Sequence, residues 1–187
     1  MTTVRLLVLG VCRRHGRVHG YAVHRALAEW RVETWTNVRP GSIYHALKQL
    51  TTEGKLRQVG DEPGSGGPAR TVYEFTDAGE AEFVTLLEGA LSSFALVEFS
   101  AGVAFMDALP RHRAVEILRA THERLVANVD GLRTLSERHP DRRPAPHTRD
   151  LLELWSGSLD ATATWIEGSL ERLQGGEYVM AGEPGAA

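Results

Sequence analysis

The chain has 187 residues, 42% of them hydrophobic and 24% charged, with a net charge of −3. That is enough apolar material for one large domain or two small ones, and it excludes disorder as the default state. The single cysteine, Cys12, excludes an internal disulfide, and no stretch approaches the ~20 apolar residues that cross a bilayer.

The longest apolar stretch, residues 91–106, is interrupted by Glu98, and no signal-peptide pattern opens the chain. A soluble, cytoplasmic protein is expected. Charge is unevenly spread. Residues 1–75 hold eleven basic and six acidic side chains, a net +5, so the remaining residues carry −8. A basic half on an acidic body suits a partner with phosphates, because phosphate contacts supply most non-specific affinity for nucleic acid.

The first apolar segment, Val4 to Val11, closes on Arg13-Arg14-His15-Gly16 and reads as a buried helix with a glycine stop. Residues 20–30 space Tyr21, Val23, Ala26, Leu27 and Trp30 as a second amphipathic helix. Residues 34–38 read as a polar connection. A third helix, about residues 40–52, starts at Pro40, where a missing N–H costs nothing. It places Ile43, Ala46, Leu47 and Leu50 on one face and Ser42, Tyr44, His45 and Lys48 on the other. Gly54 is its expected left-handed cap.

Leu56 to Val59 and Val72 to Phe75 alternate with a strand period of two. Between them, residues 60–68 contain four glycines and two prolines, and a loop is expected. Helix, helix, helix, hairpin is the winged helix-turn-helix order. Thr76, with Gly79-Glu80 downstream, resembles a capping box and predicts a helix start. Whether one helix or two follow, with a break near Glu88-Gly89, stays open.

Pro110 opens a further helix with Val115, Leu118, His122, Leu125, Val129 and Leu132 in steps of three and four, a heptad seam that would hold a dimer. His122, polar within that seam, would set register or partner choice. After a proline-containing segment, residues 139–147, a last helix carries Leu151, Leu152, Trp155, Leu159, Thr162, Trp165, Ile166, Leu170 and Leu173 on one broad face. The tail from Gly175 is expected to fray.

The motif Gly41-Ser42-Ile43-Tyr44-x-Ala46-Leu47-Lys48-x-Leu50, with Glu53-Gly54 and then Pro68-x-Arg70-Thr71-Val72-Tyr73-x-Phe75-Thr76-x-x-Gly79, resembles the PadR-type transcriptional regulators. Gly20-Tyr21 fits the same pattern. The resemblance covers about the first 80 residues. The rest is similar in architecture and length to the longer PadR subgroup, which has an extended helical C-terminal domain. The resemblance implies a homodimeric winged-helix regulator, most often a repressor, released from DNA by small planar or aromatic compounds. Two departures stand out: His45 where the family often has proline, and a wing poorer in paired basic residues.

The implied organisation is mainly α with a small β-hairpin. Residues 1–80 form a winged helix-turn-helix, residues 81–175 a helical dimerisation and effector-binding domain, and residues 176–187 a flexible tail. Ser42, Tyr44, His45 and Lys48 are expected to reach the groove of double-stranded DNA, with Lys55, Arg57 and Arg70 on phosphates and Arg39 also among the DNA-binding residues. Phe94, Phe99, Trp155 and Trp165 are the aromatics available to a planar effector, although aromatics at helical spacing also build plain cores and interfaces. No three or four histidine, cysteine or acidic ligands converge, so no metal or other cofactor is expected. An enzyme is not expected either: no Gly-x-Ser-x-Gly elbow is present, and Gly64-Ser65-Gly66-Gly67 lacks the Lys-Ser/Thr of a phosphate-binding loop. The competing readings are a winged helix that binds another protein, and a regulator that takes no ligand.

Overall fold

The computed structural model describes residues 2–64, 67–137 and 147–185, without the side chains of residues 61–69, 136 and 137. They form two compact units, described separately. One holds the residues up to Ala90 together with Val97–Phe105; the other holds Leu91–Leu96 and the residues from Met106 onwards. The boundary therefore falls later than residue 80.

Helix α1 (Thr2–His15) is the axis of the first unit. Its residues Leu6, Leu7, Val8, Leu9, Gly10, Val11 and Cys12 are all buried, so it is covered on every side. Burial pushes the Cys12 thiol up to about 12, which leaves it unreactive at neutral pH. Arg13, Arg14 and His15 fill the last turn, where cations complement the helix dipole, and Gly16 stops the helix with φ 67°.

A three-residue strand, β1 (Arg17–His19), follows, and it was not legible from periodicity. Then come α2 (Gly20–Glu29), the single turn α3 (Val32–Trp35), which overlaps the start of the expected polar connection, and α4 (Pro40–Thr52). Helix α4 buries Ile43, Ala46, Leu47 and Leu50, as the pattern predicts, and Gly54 follows it at φ 72°. Strands β2 (Leu56–Gly64) and β3 (Gly67–Phe75) complete an antiparallel sheet of order β1-β3-β2.

The expected loop over residues 60–68 is a correction. Its backbone stays in the ladder as far as the pair Gly64 and Gly67, and only Ser65 and Gly66 lie outside the described residues. The glycines bend the ladder rather than end it. Gly60 adopts φ 142° where the register shifts between Gln58 and Gly60, a conformation that side chains rarely allow.

Helix α5 (Asp77–Leu91) starts at the predicted cap. Thr76 Oγ1 accepts the Gly79 N–H at 3.1 Å, while Glu80 turns away to pair with Arg13 at 2.8 Å. The Thr76 oxygen also lies 2.8 and 2.9 Å from the carbonyls of Gly54 and Lys55, tying the helix start to the end of α4. A Cβ on Gly79 would stand 2.3 Å from the Lys55 carbonyl oxygen, so glycine is required there. The helix runs through Glu88-Gly89 and breaks later, before α6 (Leu96–Val103). Phe105 then lies over Gly10 of α1 and stacks at 5.4 Å on Trp30 and 5.8 Å on Phe83.

The second unit is a pair of 27-residue helices, α7 (Arg111–Glu137) and α8 (Thr148–Gln174). They are antiparallel, because His122 meets Glu167 and Arg133 meets Asp160. The buried stripe of α7 is Ala114, Ile117, Leu118, Thr121, Leu125 and Val129. Leu118, Leu125 and Val129 of the expected seam are thus enclosed by the chain itself, while Val115, His122 and Leu132 lie at its edge. Part of the expected seam thus packs within the chain. His122 Nε2 instead sits 2.9 Å from Glu167 Oε1 on α8.

The tail is also a correction. Arg111 donates to the carbonyls of Leu173 and Tyr178 and holds Glu183 at 2.7 Å, and Met180 is fully buried. The Ala181 N–H reaches the Asp107 carbonyl at 2.9 Å. The chain is therefore held as far as Glu183.

Candidate nucleic-acid interface

Helix α4 presents its polar face on a rigid support. Proline at its start and the Ser42 hydroxyl, which accepts the Arg39 N–H at 3.0 Å and donates to the Arg39 carbonyl at 2.7 Å, fix the first turn. Ser42 thus has a structural duty the sequence did not disclose. The buried face locks the helix against α1, α2 and the sheet.

Tyr44 is 48% exposed, and its ring covers Gly20 at the start of α2, where a Cβ would come within 2.9 Å of it. That contact explains why glycine and tyrosine go together here. His45 and Lys48 are exposed and form no ion pair among the described residues. Arg39 is exposed just before the helix.

The expected phosphate ligands divide into two sets. Arg70 is exposed, with its guanidinium 5.9 Å from the centre of the Tyr21 ring, a cation–π contact. Tyr21 is itself 55% exposed, so Tyr44, Gly20, Tyr21 and Arg70 form one continuous strip from α4 across the start of α2 to β3. Sequence reasoning placed Tyr21 in the apolar stripe of α2. Its hydroxyl and its position beside a glycine at a helix start were the available signal.

The other set is engaged within the protein. Lys55 lies 3.7 Å from Glu82, which also binds Arg5 through Nε at 2.7 Å. Arg57 donates to Glu74 through Nε at 3.2 Å and through its terminal amino group. The Arg57 hydrogen bond holds the Glu74 carboxyl below its usual range, with Arg17 adding to the effect. Arg5 does the same to Glu53 at the end of α4.

The expected effector aromatics are divided between the two units. Phe99 is buried in the first unit. Within the second, Arg124 covers Phe94 at 5.2 Å. Trp155 and Trp165 stand 55% and 39% exposed on α8, separated by roughly 15 Å of helix, too far to line one small pocket. No cluster of three metal-ligating side chains occurs, and no helix is long and apolar enough to cross a membrane, among the described residues.

Comparison with known proteins bears on the same residues. No protein of curated function matches the chain. Among solved structures, it is similar to Bacillus subtilis PadR in complex with operator DNA, with 21% identity over 90% of this chain and 98% of that one and a TM-score of 0.40. A PadR-like regulator of Bacillus cereus gives 22% identity over 92% and 99%, with a TM-score of 0.38. Bacillus subtilis PadR in complex with p-coumaric acid gives 21% over 92% and 99%, with a TM-score of 0.36. Likeness at this level supports no argument about this chain's ligands. The profile of the transcriptional regulator PadR-like family matches residues 8–85, the stretch from α1 through the sheet into α5. That matched stretch, which contains the α4 surface and the wing, is similar to the domain of the PadR-like family of transcriptional regulators.

Proposed function

We propose that this protein is a transcriptional regulator that binds double-stranded DNA as a homodimer, with α4 as its recognition helix. One observation carries the reading: the outward face of α4, with Tyr44, His45 and Lys48 exposed beside Arg39 and the Tyr21–Arg70 pair, on a helix whose other face is fully buried. Side chains on such a helix can meet base edges, and the flanking cations can meet phosphates. Dimerisation is supported by the exposed apolar stripe of α8, in which Leu151, Leu154, Trp155 and Trp165 are 53%, 71%, 55% and 39% exposed. Apolar side chains gathered on one face in this way mark an interaction surface. Repression is the proposed direction of control. The reading assigns no effector site.

The test is fluorescence anisotropy of labelled duplexes from the chain's own upstream region, titrated across a salt series. Specific binding is expected, with the logarithm of the affinity falling linearly with that of the salt concentration, by about 0.9 per phosphate contact. Lys48→Ala should weaken binding, and His45→Ala should change sequence preference. Absence of any salt-dependent binding would overturn the reading in favour of a winged helix that binds protein.

A further inference from the structure

The sheet carries a row of charge that neither the family match nor the recognition helix explains. Glu74 on the central strand β3 is the register partner of Arg17 on β1 and of Arg57 on β2. Directly opposed residues in antiparallel strands share a face, with Cβ atoms about 5 Å apart. One carboxylate therefore lies between two guanidiniums on the same side of the sheet. It takes two hydrogen bonds from Arg57, while Arg17 acts on it through charge. The Arg57 side chain is 68% exposed and that of Glu74 only 30%, and Arg17 is exposed as well. The arginines face water, and the acid sits lower between them.

We propose that Glu74 sets the DNA affinity of the domain downward, by occupying Arg57 and offsetting Arg17 at the base of the wing. The inference rests on the DNA-binding reading above. A phosphate approaching this face meets two cations and one fixed anion, a net single charge where two are available. An exposed ion pair costs little to open, so Arg57 can still swing to a phosphate. The carboxylate stays behind, however, and repels that phosphate from within a screening length of about 8 Å. Such a contact carries no sequence information, so the device lowers affinity for every duplex alike.

The experiment compares the full-length protein with Glu74→Gln, which removes the charge and keeps the size, on a specific and an unrelated duplex. Glu74→Gln is expected to bind both duplexes more tightly, by roughly three- to tenfold at 0.15 M salt, with a steeper salt slope by about one contact. The ratio of specific to unrelated affinity should stay level, because the contact carries no sequence information. Adding Arg57→Gln to Glu74→Gln should restore the original affinity. Equal or weaker binding by a folded Glu74→Gln, beside a wild-type protein that binds, overturns this inference alone. A wild-type protein that binds no duplex overturns the DNA-binding reading, and this inference with it.

Discussion

Gly10 lies in the middle of a helix, where glycine is normally unfavourable, because the Phe105 ring occupies the place of its side chain at 2.3 Å from the would-be Cβ. Phe105 is fully buried, with Trp30 and Phe83 on either side and Arg14 at 5.2 Å from its ring centre. It cannot retreat without opening a void. Gly10→Ala should therefore destabilise the N-terminal unit by about 1–3 kcal/mol through overpacking. Urea unfolding would show this, and Phe105→Leu in the same chain should recover part of the loss. A neutral Gly10→Ala would mean the ring is free to move. At this scale the sequence was partly legible. The buried face of α4 followed from its spacing, and Gly54 from its place after a helix. Ser42 did not, because a hydroxyl three residues into a helix can serve a groove or a cap, and the cap is visible only in the 3.0 Å bond that it accepts from the Arg39 N–H. The pairing of Arg57 with Glu74 was equally hidden, since it depends on strand register across a bulge.

The helical pair shows how a pattern can be right in period and wrong in phase. Steps of three and four fit both Val115, Leu118 and His122 and the observed Ala114, Leu118 and Thr121. One residue is 100° of helix rotation, and small side chains such as Ala114 and Thr121 carry little apolar signal. Thr121 could enter the core because its hydroxyl donates to the Leu91 carbonyl at 3.1 Å. The tail misled for a related reason: its glycines suggested fraying, while Arg111, distant in sequence, supplies the hydrogen bonds that hold it. The Arg111 hydrogen bond, aided by the Met180 N–H, keeps the Glu183 carboxyl below its usual range. A lowered folded value means the contribution is fully present above the ordinary glutamate pKa of ~4.3 and is lost as pH falls through the depressed value. Hydrogen exchange at the Ala181 amide, corrected for intrinsic rate, should show protection at pH 7 that declines below about pH 4. In Arg111→Ala the same amide should exchange fast at either pH. Protection unchanged by Arg111→Ala would show that burial of Met180 alone holds the tail.

At the scale of the whole molecule, a basic N-terminal half is joined to an acidic remainder. The wing, however, contributes less free charge than its sequence suggests, because Lys55 and Arg57 face Glu82 and Glu74. Each copy is therefore expected to hold DNA weakly, and pairing of recognition helices is what should make binding strong. In the proposed dimer that pairing is assigned to the exposed stripe of α8 rather than to the enclosed stripe of α7. Substituting Leu154→Glu with Trp155→Glu places charge on residues that are 71% and 55% exposed, so the fold should survive while association fails. Native mass measurement of the protein on its operator duplex tests this most directly. Two chains per duplex for the wild type, and loss of the complex for the Leu154→Glu, Trp155→Glu protein at the same concentration, are the expected results. A saturated complex with one chain per duplex, or full binding by the doubly substituted protein, would contradict the account.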